Sequence, residues 1–230
     1  MTLSNKSFFK FLNTNFTFEK NPSFAAALSG GPDSMAMLFL LIEWNKKING
    51  NLTALIVNHN IRKGSYEESL KVKKFLNNIN VKSKILSVNK NRIKSKSMQE
   101  ARINRYNLLT NYCKKNNFLY LFVAHHLDDN IETYLNRKVS GSDFEGLQSM
   151  QHISLRNKIN IIRPLLSFSK SHILKYNQKY LIPSLQDPTN FNLNYARPII
   201  RKFIKESSPY TRREISNEFK NIKKYSNAYN

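Results

Sequence analysis

Two short stretches of this sequence concentrate the residue types that phosphate and amine chemistry require. The first is Ser29-Gly30-Gly31-Pro32-Asp33-Ser34. Adjacent glycines let the backbone approach a phosphate and turn N–H groups toward it, and a helix starting just afterwards adds the positive end of its dipole. The hydroxyls of Ser29 and Ser34 can donate to phosphate oxygens. Asp33 would repel a bare phosphate, so it fits best with a magnesium ion between them. The stretch is neither GxxxxGK[ST] nor GxGxxG, and the next lysine, Lys46, comes a whole helix later. The bland reading is a Ser/Gly turn that caps a helix.

The second stretch, His125-His126-Leu127-Asp128-Asp129-Asn130-Ile131-Glu132-Thr133, places three of the chain's 15 acids within five positions. Helical spacing lets Glu132 share a face with Asp128 or Asp129. Three readings stay open. Acids at a helix N-terminus are favoured by the macrodipole alone; His125 and Asp129 could form a metal pair; or the acids hold a cation, either Mg²⁺ or an ammonium group. In the last case a carboxylate could also take the proton that an attacking amine must lose. A third stretch, Ala101-Arg102-Ile103-Asn104-Arg105-Tyr106, reads as a solvated basic helix face, or as an arginine supply for negative charge on a nucleotide or its transition state.

Both clusters must sit just after strands for this chemistry to converge, and the pattern puts them there. The sequence predicts a strand at Phe24–Leu28, a helix from Ser34 to about Lys46, strands at Leu52–Val57 and Lys82–Val88, and a strand at Phe118–Ala124 followed by a helix over Leu127–Lys138. Ser65-Tyr66-Glu67-Glu68 and Ser97-Met98-Gln99-Glu100 have capping-box spacing and open helices to about Leu76 and Lys115. Strands alternating with helices predict an α/β fold, a parallel sheet with flanking helices, whose ligands sit beyond the C-terminal strand ends. After Gly141 the texture changes to a loop over Ser140–Gly146, a short strand in Ile159–Leu166 interrupted by Pro164, a helix over Ser169–Tyr180, and a turn-rich loop over Asp187–Asn194. Ile199–Glu206 and Arg212–Tyr225 read as a small, basic helical C-terminal extension. The expected division is residues 1–20 as an N-terminal extension, 21–145 as the nucleotide-binding catalytic part, and 146–230 as its remainder with the basic helices.

Composition narrows the partners. With 37 Lys plus Arg against 15 Asp plus Glu, the net charge is +22, which implies a polyanion, nucleic acid first and an anionic membrane surface second. Abundant Asn and Ile suggest AT-rich coding, which inflates Lys but does not explain the scarcity of acids. Cys113 is the only cysteine, so no disulfide framework, CxxC zinc site, iron–sulfur cluster or two-thiol relay can be built within the chain. Residues 1–20 lack the long apolar run of a secretory signal, and the longest apolar run, Met35–Ile42, falls far short of the roughly 20 residues that span a bilayer. The expectation is a soluble protein with no membrane partner.

SGGPDS resembles the loop of the PP-loop ATP pyrophosphatases, a resemblance that implies an adenine nucleotide alpha hydrolase-like, Rossmann-like fold and cleavage of ATP between its α and β phosphates. The ordered set SGGPDS (29–34), NHNIR (58–62), ARINRYNLL (101–109), AHHLDDNIET (124–133), GSDFEGLQSM (141–150), RPLL (163–166) and DPTN (187–190) is similar to that of the tRNA(Ile)-lysidine synthetases, over about Phe24 to Phe203. That resemblance implies adenylation of the 2-carbonyl of the wobble cytidine in tRNA(Ile) with a CAU anticodon, followed by displacement of AMP by free lysine. It implies ATP and Mg²⁺ held by Ser29, Gly30, Gly31, Pro32, Asp33 and Ser34, with Asp33 as the metal ligand. Arg105, with Arg102 beside it, would be the catalytic arginine. Asp129 and Glu132 would hold or deprotonate the lysine, and His125, His126 and Asp128 would shape its pocket. Arg137, Lys138, Arg163, Arg197 and Arg201 are the candidate tRNA-backbone contacts.

The sequence departs from that pattern in three places. Ser140 stands where the family often has Arg, Arg197-Pro198-Ile199-Ile200-Arg201 replaces RNxIR, and the expectation is of no large C-terminal tRNA-binding domain such as longer members carry. Pro198 must start rather than continue a helix. Surplus positive charge would stand in for the missing clamp, and a steep salt dependence of tRNA binding would support that. The rival readings are a thiolase-type PP-loop enzyme, which a lone Cys113 disfavours, and a non-catalytic basic RNA-binding protein, which the joint presence of Asp33, Asp129 and Glu132 disfavours. The expected location is a bacterial cytoplasm or a plastid stroma, and the sequence leaves room for a homodimer.

Overall fold

A hydrophobic strand that runs straight into a Gly-Gly turn starts the architecture. In the computed structural model, which describes residues 2–60, 64–89, 98–184 and 196–228, β1 (Ser23–Leu28) leads into α2 (Pro32–Ile48). Before it comes α1 (Asn5–Asn15), and after it β2 (Asn51–Asn58), α3 (Ser65–Asn78), β3 (Ser83–Ser87), α4 (Met98–Lys115), β4 (Tyr120–Phe122) and α5 (Leu127–Val139). The chain then adds α6 (Phe144–Leu147), β5 (Ile153–Arg156), β6 (Ile159–Ile162), α7 (Lys170–Lys179), α8 (Ala196–Glu206) and α9 (Pro209–Ala228).

The six strands form one sheet in the order β3-β2-β1-β4-β6-β5, parallel except for the β5–β6 hairpin. The chain winds outward from β1 through β2 to β3, then crosses back to place β4 on the other side of β1. The strand order therefore reverses between β1 and β4. In open α/β sheets the crevice at such a switch point, beyond the C-terminal strand ends, is where ligands bind. Alternating side chains of β1 serve both faces. Phe24, Ala26 and Leu28 join a core with Phe8, Leu12, Trp44, Val72 and Ile173 from α1, α2, α3 and α7, while Ala25 packs with Tyr106, Leu109 and Cys113 of α4 on the other face. The result is the helix–sheet–helix sandwich expected of the pattern.

Several local expectations change. The first helix was not anticipated: Ser4 and Ser7 form a reciprocal capping box, and α1 buries Phe8 and Leu12 completely. At α3 the N-cap is Gly64, in the left-handed region at φ 85°, rather than Ser65. The Ser65 hydroxyl instead donates to Asn58 Oδ1 at 2.9 Å, so it ties the helix start to the end of β2. Ser97 lies outside the described residues, as do Ile61 and Arg62 of the NHNIR stretch and the DPTN loop. The expected loop at 140–146 contains the start of α6, capped by Asp143. Strand β6 ends two residues before Pro164, and β5 pairs with it through a turn in which Asn157 and Lys158 both have positive φ, the mark of a tight hairpin. Pro198 falls in the first turn of α8, where a missing N–H costs no helical bond. Among the described residues no helix is long and apolar enough to cross a membrane.

Candidate active site

The loop between β1 and α2 is shaped by its glycines and serines. Gly30 takes φ 83°, which a side chain would resist, and Gly31 is the N-cap of α2 with no side-chain cap bond. Pro32 occupies the first helical position, where its fixed φ and missing N–H suit the turn. The Ser29 and Ser34 hydroxyls lie 3.2 Å apart, and Ser34 Oγ donates to the Gly31 carbonyl at 3.0 Å. The first turn of α2 thus opens toward the crevice with backbone N–H groups and no capping side chain, as an anion site does. From the other side of the switch point, the Asn177 amide of α7 donates to the Pro32 carbonyl at 2.8 Å, which fixes α7 against the loop.

The His-His-Asp-Asp stretch builds the facing wall. His126 is the N-cap of α5: its Nδ1 accepts from the Asp129 N–H at 3.3 Å, and the Asp129 carboxylate accepts from the His126 N–H at 3.1 Å. With Nδ1 accepting, the ring proton sits on Nε2. That nitrogen lies 3.5 Å from Asp129 Oδ2 and 3.8 Å from Asp33 Oδ2, so one buried imidazole looks onto carboxylates from both clusters. Asp128 accepts from the Lys170 backbone N–H at 2.8 Å and so binds α5 to the start of α7. His125 is half-buried on the same turn. Asp129 thus caps its own helix through Oδ2 while its Oδ1 lies 3.5 Å from a guanidinium nitrogen of Arg201.

Among the described residues, Lys170 and Arg201 answer these acids, and neither is near them in sequence. Lys170 Nζ contacts both carboxylate oxygens of Asp33 at 2.6 Å. Arg201 Nε donates to Glu132 Oε1 at 2.6 Å, with another guanidinium nitrogen 3.5 Å from Asp129 Oδ1. Glu132 is 5% exposed. Burial alone would lower the Arg201 guanidinium, but Glu132, Asp129 and Asp33 outweigh it and raise it above its ordinary range. Lys170 supplies the lysine that the loop lacks. Its only local signal was its place, one residue after the serine that caps α7; the ion pair itself spans 137 positions.

Arg105 sits further along the same rim. It lies against the Tyr106 ring at 5.5 Å, and its charge, after burial, helps hold His59 at the end of β2 below the usual histidine range. Arg102 flanks the same ring at 5.8 Å. Three of the candidate RNA contacts are engaged within the protein. Arg163 is 7% exposed and donates to the Gln151 carbonyl and the Ser154 hydroxyl, each at 3.0 Å, so it braces the β5–β6 hairpin rather than facing solvent. Burial lowers its guanidinium from the ordinary value. Arg137 donates to the Gly146 carbonyl, and Lys138 pairs with Glu218 of α9. The side chain of Arg197 lies outside the described residues. Among the described residues, no three His, Cys, Asp or Glu side chains form a metal site by themselves.

With this geometry in hand, the decisive comparison is with sequence families: the family of the PP-loop domain matches residues 2–207. The chain belongs to the PP-loop domain family. Among curated relatives it is 42% identical over 189 residues to the tRNA(Ile)-lysidine synthase of Wolbachia pipientis wMel, a match covering 81% of this chain and 44% of the relative. It is 36% identical over 188 residues to that of Orientia tsutsugamushi, covering 82% and 42%. The chain thus spans less than half the length of these curated relatives. Among solved structures, a U34-tRNA thiolase from Methanococcus maripaludis with its [4Fe-4S] cluster superposes with TM-score 0.74 at 18% identity, covering 95% of this chain and 78% of that one. An NH3-dependent NAD synthetase from Campylobacter jejuni gives 0.53 at 16%, covering 95% and 93%. These two likenesses show the fold. Within the matched residues, the Ser29–Ser34 turn faces the start of α5 at the His126 ring.

Proposed function

We propose that this chain carries out the ATP-dependent attachment of lysine to the wobble cytidine of tRNA(Ile) with a CAU anticodon, through an adenylated cytidine. The observation that carries the reading is the meeting of Asp33 and Asp129 at the single His126 ring, which sets a phosphate-binding loop against an acid pair suited to an amine. The similarity to curated lysidine synthases at 36–42% identity supports it.

ATP would lie on Ser29, Gly30, Gly31, Pro32, Asp33 and Ser34 at the N-terminus of α2, with Lys170 as the cation for its phosphates. Magnesium fits the donors present, because Asp33 offers hard carboxylate oxygens at the loop and magnesium takes one or two carboxylates plus phosphate oxygens. When bound it would offset the phosphate charge against Asp33. The cytidine O2 attacks the α-phosphorus as the bond to the β-phosphate oxygen breaks, and pyrophosphate leaves. Arg105, with Arg102 beside it, would stabilise the negative charge of that step.

The amine then arrives as an ammonium. Glu132 and Asp129 would hold it and accept the proton it sheds, after which its nitrogen attacks C2 and AMP departs with the former O2. His125, His126 and Asp128 shape that pocket, and Arg137, Lys138, Arg197 and Arg201 serve the RNA backbone. Residues 1–20, 21–145 and 146–230 remain the working division of the chain, a bacterial cytoplasm its working location, and a homodimer an arrangement for sedimentation to test. The thiolase alternative needs reactive sulfur, whereas Cys113 is fully buried in the α4 core and burial pushes its thiol up to about 12.

The test is transfer of labelled lysine to a tRNA(Ile) transcript with a CAU anticodon, in the presence of ATP and Mg²⁺, beside a tRNA(Met) control. Lysine in the first RNA supports the reading; RNA-dependent AMP release without lysine transfer would replace the nucleophile; no AMP release would leave an RNA-binding protein.

A further inference from the structure

The acid pair assigned to the amine is already filled. Arg201 reaches from α8 to Glu132 at 2.6 Å and to Asp129 at 3.5 Å, so its guanidinium stands where an incoming ammonium would have to stand. A buried carboxylate such as Glu132 is costly without a cation, which accounts for the guanidinium beside it. Two cations cannot share this pair at such distances without strong repulsion, so occupancy by Arg201 and by an amine exclude each other.

The helix that delivers Arg201 is built to give way. It packs on α5, with Ile200 and Ile204 half-buried, Ile199 59% exposed and Phe203 52% exposed. The Arg201 side chain is itself 46% exposed, so an external anion can reach it. A phosphodiester is the matching anion, because the planar guanidinium fork pairs with phosphate as well as with carboxylate.

Resting on the lysidine reading above, we propose that Arg201 gates the amine subsite: it closes Glu132 and Asp129 to lysine until RNA phosphate draws its guanidinium away. Amine binding then follows RNA binding, and the reactive acid pair is exposed only when there is an RNA to modify. An enzyme so arranged gains selectivity without added contacts to the amine, since lysine binds at the cost of displacing Arg201 unless RNA has already done so.

The experiment is equilibrium binding of labelled lysine to the full chain, without ATP, with and without the tRNA(Ile) transcript, for wild type, Arg201→Gln and Arg201→Lys. The wild type should gain on the order of tenfold in lysine affinity when RNA is added. Arg201→Gln should bind lysine without RNA about as tightly as the RNA-loaded wild type, and Arg201→Lys, which keeps a cation there, should stay closed. If Arg201→Gln does not fold, the wild type alone decides, and a lysine affinity indifferent to RNA overturns the gate. An Arg201→Gln chain with unchanged or weaker lysine binding also overturns it. A wild-type preparation that transfers lysine with ATP while showing either result loses the gate and keeps the lysidine reading; one that transfers no lysine loses both.

Discussion

The two ends of the sheet are built on opposite principles. Toward the N-terminal strand ends, Trp44 packs against Phe18, Phe24 and Phe122 with ring centroids 4.8, 5.3 and 6.0 Å apart, and Phe18 also meets Tyr120 at 4.9 Å. Its polar edge is closed by the Tyr120 hydroxyl, which donates to Glu19 at 2.7 Å; burial and Glu19 push that phenol up to about 12. At the C-terminal ends, the same two central strands deliver Asp33, Asp128, Asp129 and Glu132 to one crevice around the His126 ring, where the cations Lys170 and Arg201 meet them. Aromatic burial stabilises without depending on a partner. The charged end gathers like charges that only cations can reconcile, an arrangement that makes sense where ligands bring some of those cations. The molecule thus packs its aromatics at one end of the sheet and gathers its opposed charges at the other.

That division predicts separable effects. The largest should be Phe122→Ala, which empties a fully buried site between Phe24 and Trp44 and should cost about 3–5 kcal/mol in urea unfolding with an unchanged m value. The folded fraction should keep its RNA-dependent AMP release. Asp33→Asn should do the reverse. AMP release should fall by about 10²–10³, whereas stability should move by less than about 1 kcal/mol, because the lost Lys170 pair is partly exposed. An Asp33→Asn chain as unstable as Phe122→Ala would erase the distinction between the two ends.

A smaller effect should appear at the join between the hairpin and α9. Lys223 donates to the Met150 carbonyl at 2.7 Å, and burial, with Arg137 and Arg163 nearby, lowers its ammonium to about 8. Because the unfolded chain then binds the proton more tightly, the penalty is complete below pH 8 and is relieved as pH rises toward the ordinary lysine value of 10.5. Unfolding free energy should rise across that window relative to Lys223→Met, and parallel curves for the two proteins would show that Lys223 is not the cause.

What the sequence made legible was local. The run from Phe24 through Ser34 declared a strand, a tight turn and a helix start within a dozen residues, and His126 to Glu132 declared a charged helix start after another strand. Positions whose meaning depends on distant partners were not legible. Lys170 looks like any other of the 37 cations, Arg201 read only as an RNA contact, and nothing near either announces Asp33 or Glu132. Arg163 read as a surface contact because its burial depends on the hairpin above it, whose alternation over Ile153–Arg156 and turn at Asn157-Lys158 were the overlooked signals. Ser65 carried a capping-box spacing, yet the third-dimension neighbour Asn58 took its hydroxyl. Helix α1 has no acids in its first turn, and the overlooked signal was the i, i+3, i+4 spacing of Phe8, Phe11 and Leu12 behind the Ser4–Ser7 cap.

The central claim is that one crevice holds two chemical halves, activation at the PP-loop and amine delivery at α5. The most direct measurement is single-turnover labelling of the tRNA(Ile) transcript with ATP carrying the label in its α-phosphate, for wild type and Glu132→Gln. The account predicts that Glu132→Gln still releases pyrophosphate and accumulates AMP on the RNA when lysine is present, whereas the wild type converts that adduct to lysine-modified RNA. Loss of RNA adenylation and lysine transfer together in the folded Glu132→Gln protein would contradict the division of the crevice, as would undiminished lysine transfer.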